Sequence, residues 1–318
     1  MKQRKRGWTW EKNTALGLVA LLLTVSWLRC PELLADALRD GLSLCANTMI
    51  PALFPFMVLS ELIVSSGVGR RLGRTFGGVI GPPLGLTESG ACAWVMGLVC
   101  GFPVGARVAA SLYRAGEMDA REFCHVICFC HVPSSAFLVG VVGSSLLGSS
   151  RLGWWLVVWT TVASLAVGLL FGRRGAVTRR AFSPLPADVS PNKGLLGRAI
   201  GSGCTSRLGV CATVLIFCAM LSTLSRWVDA CGGGALVKVA IFGVTELSAG
   251  VRAAAASGYG PWGAALCGAV AGWGGFSVHC QILSVCDGCP VPLARFYLCR
   301  VLQSLICFGG MALIACAV

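Results

Sequence analysis

The chain has 318 residues, of which 56% are hydrophobic and only 12% charged, where soluble domains carry about 25% charged residues. Apolar blocks of about 15–25 residues run through its whole length without period-two alternation, which excludes a soluble domain and a β-barrel and leaves an all-α polytopic membrane protein. The net charge of +13 comes from 26 Lys+Arg against 13 Asp+Glu, clustered in short connections between the blocks; this is the positive-inside pattern of membrane topology, not a nucleic-acid footprint.

The first six residues, MKQRKR, form a basic tail, and the first apolar span runs from Thr14 to Leu28. The following SWLRC has no small-x-small cleavage site, and Arg29 before Cys30 spoils a lipoprotein signal, so the span is expected to stay as a helix with a cytoplasmic N-terminus. A second block, Leu42 to Ser66, contains IPALFPF and Glu61 and is followed by Arg70, Arg71 and Arg74. The third, Ala91 to Leu112, carries Gly101, Pro103 and Gly105 and then Arg107. In a helix interior Gly costs about 1 kcal/mol and Pro about 3, and an arginine at the bilayer centre costs at least about 2.5–3.5 kcal/mol, so the run predicts a break. The fourth block, Cys124 to Leu147, is interrupted by Pro133, Ser134 and Ser135, and the fifth, Leu152 to Gly172, ends at RRGAVTRR.

If all five blocks cross, this last basic cluster lies outside. If the third block enters and leaves by one face, Arg70, Arg114, Arg121 and Arg173 all lie inside. Gly101, Pro103 and Gly105 are then the tip of a re-entrant helical hairpin, tolerated only where protein or a water-filled cavity covers it. The Pro/Ser-rich AFSPLPADVSPN, residues 181–192, divides the chain. We expect residues 1–37 as tail and first span, 38–175 as a first half, 176–200 as a cytoplasmic linker and 201–318 as a second half. The second half has a span at about 208–225, a block from Ala235 to Ala256 with Glu246 and Arg252, and spans at about 262–285 and 297–317. A re-entrant Glu246 block places Arg295 and Arg300 inside. GARVAAS at 105 and GVRAAAA at 250 share G-x-R-x-A-A. With the crossing count, this points to two transporter-like halves in an inverted repeat.

Glu246, an acid between apolar segments, is a functional hypothesis by default; its structural alternative is an interfacial acid paired with Arg252 or Lys238. Ser277, His279 and Gln281 follow Gly272, Gly274 and Gly275, which favour a break whose half-helix ends can hold a polar ligand. The alternative for His279 is a hydrogen bond between packed helices. Ser134 and Ser135 either satisfy carbonyls freed by Pro133 or face the cavity of the hairpins. Cys124, Cys128 and His131 share a helix face, but Cys130 and His125 do not join them, and Cys286 and Cys289 lack a second pair at zinc spacing, so no metal or other cofactor is expected. The 18 cysteines lie mostly inside apolar segments, as small hydrophobes rather than a disulfide framework. There is no Ser/His/Asp set, P-loop or H-E-x-x-H, and no enzyme activity is expected.

IPALFPFMVLSELI, GFPVGAR, FCHVPSSAFLVGVVG, TELSAG and GGFSVHCQILS occur in this order, and by them the chain, over about residues 38–312, resembles the sporulation integral membrane protein YlbJ family. That family carries the nucleoside-recognition, or Gate, domain, which is similar to parts of concentrative nucleoside transporters and ferrous-iron transporters. The resemblance implies a multi-pass bacterial cell-membrane protein of endospore formers, expressed in sporulation and needed for a normal spore through cortex formation. It matches Gly101, Pro103 and Gly105 to the family's glycine-proline motif, Glu246 and Gly250 to its acidic motif, and Ser277, His279 and Gln281 to its serine-histidine-glutamine motif. The chain departs from the family in having His131 and Val132, where asparagines often precede the serines. The candidate solute-binding residues are therefore Gly101, Pro103, Gly105, Ser134, Ser135, Glu246, Ser277, His279 and Gln281. The expected partners are the lipid bilayer, a small polar solute, and either a second copy of the chain or other sporulation membrane proteins. A non-transporting scaffold of spore assembly is the competing class, and an ion or metal permease a third.

Overall fold

An apolar chain without alternation can satisfy its backbone in lipid only through helices, and every described element is helical, with no strand among the described residues. The computed structural model describes residues 2–317 apart from 52, 53, 55–57, 60, 61, 63–67 and 173–193. Glu61, most of the second apolar block's middle, RRGAVTRR and the linker 181–192 lie outside the described residues. Four helices are long and apolar enough to cross a membrane, and six spans result if each of two bent helix pairs counts as one.

The chain begins with α1 (Lys2–Arg29) and α2 (Pro31–Leu44). After a π-helical turn, Cys45–Met49, and the partly described stretch beyond it come α3 (Val68–Leu84), α4 (Glu88–Cys100), α5 (Val104–Arg114) and α6 (Ala120–Val126). A π-helical segment, Ala136–Leu146, then leads into α7 (Ser150–Phe171). The second half holds α8 (Leu195–Ala230), α9 (Ala235–Thr245), α10 (Leu247–Ala255), α11 (Trp262–Trp273), α12 (Gly275–Val285) and α13 (Leu293–Ala317). The boundary expected at residue 200 falls inside α8, which packs on α2 with Gly41 against Leu215 and Cys218.

The third apolar block turns back on itself. Gly97 on α4 and Gly105 on α5 lie against each other and against the carbonyl of Cys130, an approach that two straight segments eight residues apart cannot make. The Glu246 block does the same: Gly250 on α10 lies against the backbone of Gly243 on α9. The fourth block is not one helix. Its helix ends at Val126, the chain runs through turns and irregular backbone over residues 127–134, and helix resumes as the π-helical segment. Cys124, Cys128 and His131 therefore do not share a helix face, and no metal-holding group of His, Cys, Asp or Glu exists among the described residues. No disulfide joins the described cysteines.

One succession of parts thus occurs twice: a helix, a hairpin, an interrupted helix, a long helix. The two G-x-R-x-A-A hexads sit at matching places, just past each hairpin's turn, and their leading glycines, Gly105 and Gly250, let the two arms meet.

Small residues set the close packing between helices, as expected in lipid. Gly310 of α13 receives the indole of Trp159 on α7, and Gly268 and Gly272 of α11 lie on the carbonyls of Cys307 and Gln303. Buried polar bonds tie the first half together: Trp94 donates to Ser164 Oγ at 2.9 Å, and Ser164 donates to the Phe129 carbonyl at 2.8 Å.

At one end of the bundle Glu122 docks on the start of α4. Its Oε1 accepts from the N–H of Thr87 at 2.6 Å and from the Thr87 hydroxyl at 2.8 Å. Burial nevertheless pushes the carboxyl up, against the pull of these bonds. A carboxyl whose value is higher folded than unfolded stabilises most below its unfolded value and loses that contribution as pH rises through the folded one. Thermal melts should therefore show wild type losing stability relative to Glu122→Gln as the medium goes from acid to neutral.

Candidate functional site

The two interruptions in each half meet. Gly101 ends α4 at φ +76°, a conformation that favours glycine. A β-carbon there would lie 2.7 Å from the N of Ser134, and the N–H of Phe102 donates to the Val132 carbonyl at 3.0 Å. The first hairpin tip is thus seated on the unwound 127–134 segment. Pro103 is buried at the start of α5, where a missing N–H costs nothing. Ser134 Oγ accepts from the N–H of Phe137 at 3.3 Å, which begins the π-helical segment; Ser135 is half-buried beside it. Gly101, Pro103 and Gly105 shape the seat and offer no ligating side chain.

The second half repeats the contact. Gly274 and Gly275 break α11 from α12 at φ +90° and +80°, and a β-carbon on Gly275 would lie 2.9 Å from the N of Leu247. Glu246 stands at this junction as the N-cap of α10, 2% exposed, with Oε2 accepting from the N–H of Ala249 at 2.6 Å. Ser277 Oγ donates to its Oε1 at 3.5 Å. The positive end of α10 compensates the carboxylate. Neither expected cationic partner forms an ion pair with it among the described residues: Lys238 pairs with Asp229 at 2.6 Å, and Arg252, exposed, acts on the carboxylate only through its charge.

Ser277, His279 and Gln281 lie on one helix, α12, so His279 turns away from the face that Ser277 and Gln281 share. Ser277 faces Glu246. His279, 1% exposed, turns to Trp273, whose carbonyl accepts from Nε2 at 2.9 Å. Gln281 is half-buried. The structure therefore brings Glu246 and Ser277 into contact and turns His279 to the aromatic rings of Trp273, Phe276, Phe296 and Tyr297.

Three further residues complete the centre. Arg300 of α13 is 2% exposed; it donates to the carbonyls of His131 at 3.1 Å and Cys128 at 3.4 Å, both in the unwound segment. His131, fully buried, stacks on Phe296 at 5.3 Å, and His279 packs edge-on to the same ring at 5.4 Å. Gln303, one turn past Arg300, is also buried. His131 Nε2, His279 Nδ1, Arg300 Nε and Gln303 Nε2 are buried without a hydrogen-bond partner among the described residues. Arg300 is thus not the cytoplasmic topology marker that its charge implied. Its signal in the sequence was the stripe Phe296, Arg300, Gln303 and Cys307, the inward face of a helix.

The fold and the site define an integral membrane protein with a buried polar centre where two hairpins meet two interrupted helices. Residues 46–148 match the family model described as Gate, nucleoside recognition. The chain is 23% identical over 317 residues to the "Sporulation integral membrane protein YlbJ" of Bacillus subtilis (strain 168), covering 89% of this chain and 78% of the relative. Both findings bear out the resemblance carried by the motifs. No solved structure matches the chain significantly.

Proposed function

We propose that the protein binds a small polar solute at the centre between the two breaks and moves it across the membrane during spore formation, the setting named by its B. subtilis relative. The observation that carries this reading is Arg300. A guanidinium buried in a span is costly, and no carboxylate pairs with it among the described residues. Two carbonyls take part of its donor capacity and leave Nε and the charge unanswered. A solute with an acceptor-rich end, a carboxylate or a phosphate, supplies the missing partner. Glu246 and Ser277 then face the solute's other polar groups.

The matching succession of parts supports two inverted halves that rock about a fixed centre, with a cytoplasmic N-terminus and no chemical step. A scaffold of spore assembly requires neither a buried Glu246 nor an unpaired Arg300.

Ligand-dependent thermal stabilisation of the purified protein tests the reading, with carboxylates, phosphates, nucleosides, amino acids, sugars and divalent metals as the panel. A solute at about 100 times its Kd adds about 2.7 kcal/mol. Glu246→Gln keeps one oxygen to accept from the Ala249 N–H and turns its amide N–H to donate to the Ser277 hydroxyl, so it should stay folded within about 1 kcal/mol of wild type and lose the stabilisation. Stabilisation unchanged in the variant removes Glu246 from the site, and a panel without a hit favours the scaffold.

A further inference from the structure

We propose that His279 is a proton-binding site, with Nδ1 as the atom that takes and releases the proton. The tautomer follows from geometry. The Trp273 carbonyl can only accept, so Nε2, 2.9 Å away, carries the hydrogen. The neutral ring then presents a bare lone pair at Nδ1, and that atom is buried without a hydrogen-bond partner among the described residues. A proton there completes the imidazolium without disturbing the bond to Trp273.

Aromatic rings surround the imidazole. Four aromatic rings pack across the imidazole at steep angles: Trp273 at 4.7 Å and 76°, Phe276 at 5.8 Å and 89°, Phe296 at 5.4 Å and 83°, Tyr297 at 5.4 Å and 70°. Steep packing sets an edge of one ring against the face of the other, and wherever the imidazolium edge meets an aromatic face the charge is attracted. The charged and titratable groups that face His279 come from every neighbouring element. Arg300 and Tyr297 lie on α13, His131 on the unwound segment, and Glu246 beyond Ser277 at the hairpin junction. Cys280 adjoins it on its own helix. Arg300 opposes the proton, and an acceptor-rich group on Arg300 relieves that opposition. Resting on the proposed solute reading, this makes the proton a co-passenger: solute on Arg300 and proton on His279 each favour the other's binding.

The site is testable without any solute, because the chain has only three histidines. Protein labelled with 15N-histidine gives three imidazole spin systems, and His279 is the one missing in His279→Gln. The expected result is an Nε2–H tautomer near pH 8 that converts to imidazolium as the medium is made acid, with Trp273 emission quenched in step. Single-residue readout in the wild type keeps the test valid if a variant fails to fold: the other two signals are then assigned through His125→Gln and His131→Gln. An Nδ1–H tautomer, or a ring that stays neutral while the protein remains folded, overturns the proposal. Neither result depends on whether a solute binds, so the proton site and the solute reading fail separately.

Discussion

Replacing Arg300 by methionine should leave the ligand-free protein about as stable as the wild type and weaken solute binding by about 100-fold or more. Two effects oppose one another in the empty protein. The guanidinium donates to the carbonyls of Cys128 and His131, and losing such charge-assisted bonds costs about 1.5–3 kcal/mol each. Against this, the methionine removes a buried cation with no carboxylate partner, whose desolvation costs several kcal/mol. The sum lies near zero. In the solute complex nothing offsets the loss, because the ligand's own acceptor is left buried and unpaired. Denaturation and binding measured on one preparation separate the cases. A variant destabilised by more than about 4 kcal/mol that still binds solute would make Arg300 a brace for the unwound segment.

The second large effect is at the first hairpin tip. Gly101→Ala should cost about 2–5 kcal/mol, and Gly116→Ala about 1–2. Both glycines have nearly the same φ, +76° and +74°, so the strain of a left-handed alanine is common to both. Only Gly101 has a neighbour in the way: a β-carbon there would meet Ser134 N at 2.7 Å and Ser134 Cβ at 2.8 Å, while at Gly116 nothing lies within 4 Å. The difference in melting between the two variants isolates the contact between hairpin tip and unwound segment. Equal losses would mean that the tip is not seated on Ser134.

Much of this was legible because lipid makes certain residues expensive. Gly101 and Pro103 in an apolar run announced a turn, and the turn is there. Glu246, an acid in an apolar run, stood out in the sequence, and it is buried at the second junction. The matching hexads marked the point where each hairpin's arms touch. Other features were hidden. Arg300 looked like a topology signal because charge near a span end usually is one; only the packing of α13 against the unwound segment turns it inward. The fourth block reads as interrupted at Pro133, Ser134 and Ser135, but nothing in the sequence shows how far the break extends; the seat needed by Gly101 helps hold all of residues 127–134 out of helix. Ser277 and His279 were grouped by sequence spacing, but two residues along a helix turn side chains about 200° apart, so one reaches Glu246 and the other the aromatic rings.

The most direct test of the central claim is uptake into proteoliposomes of the solute that stabilises the purified protein, comparing wild type with Glu246→Gln and Arg300→Met. The expected result is saturable uptake by the wild type and loss of it in both variants, with each still inserted and folded. A solute that binds at the centre but does not enter, or uptake that both variants retain, would contradict it.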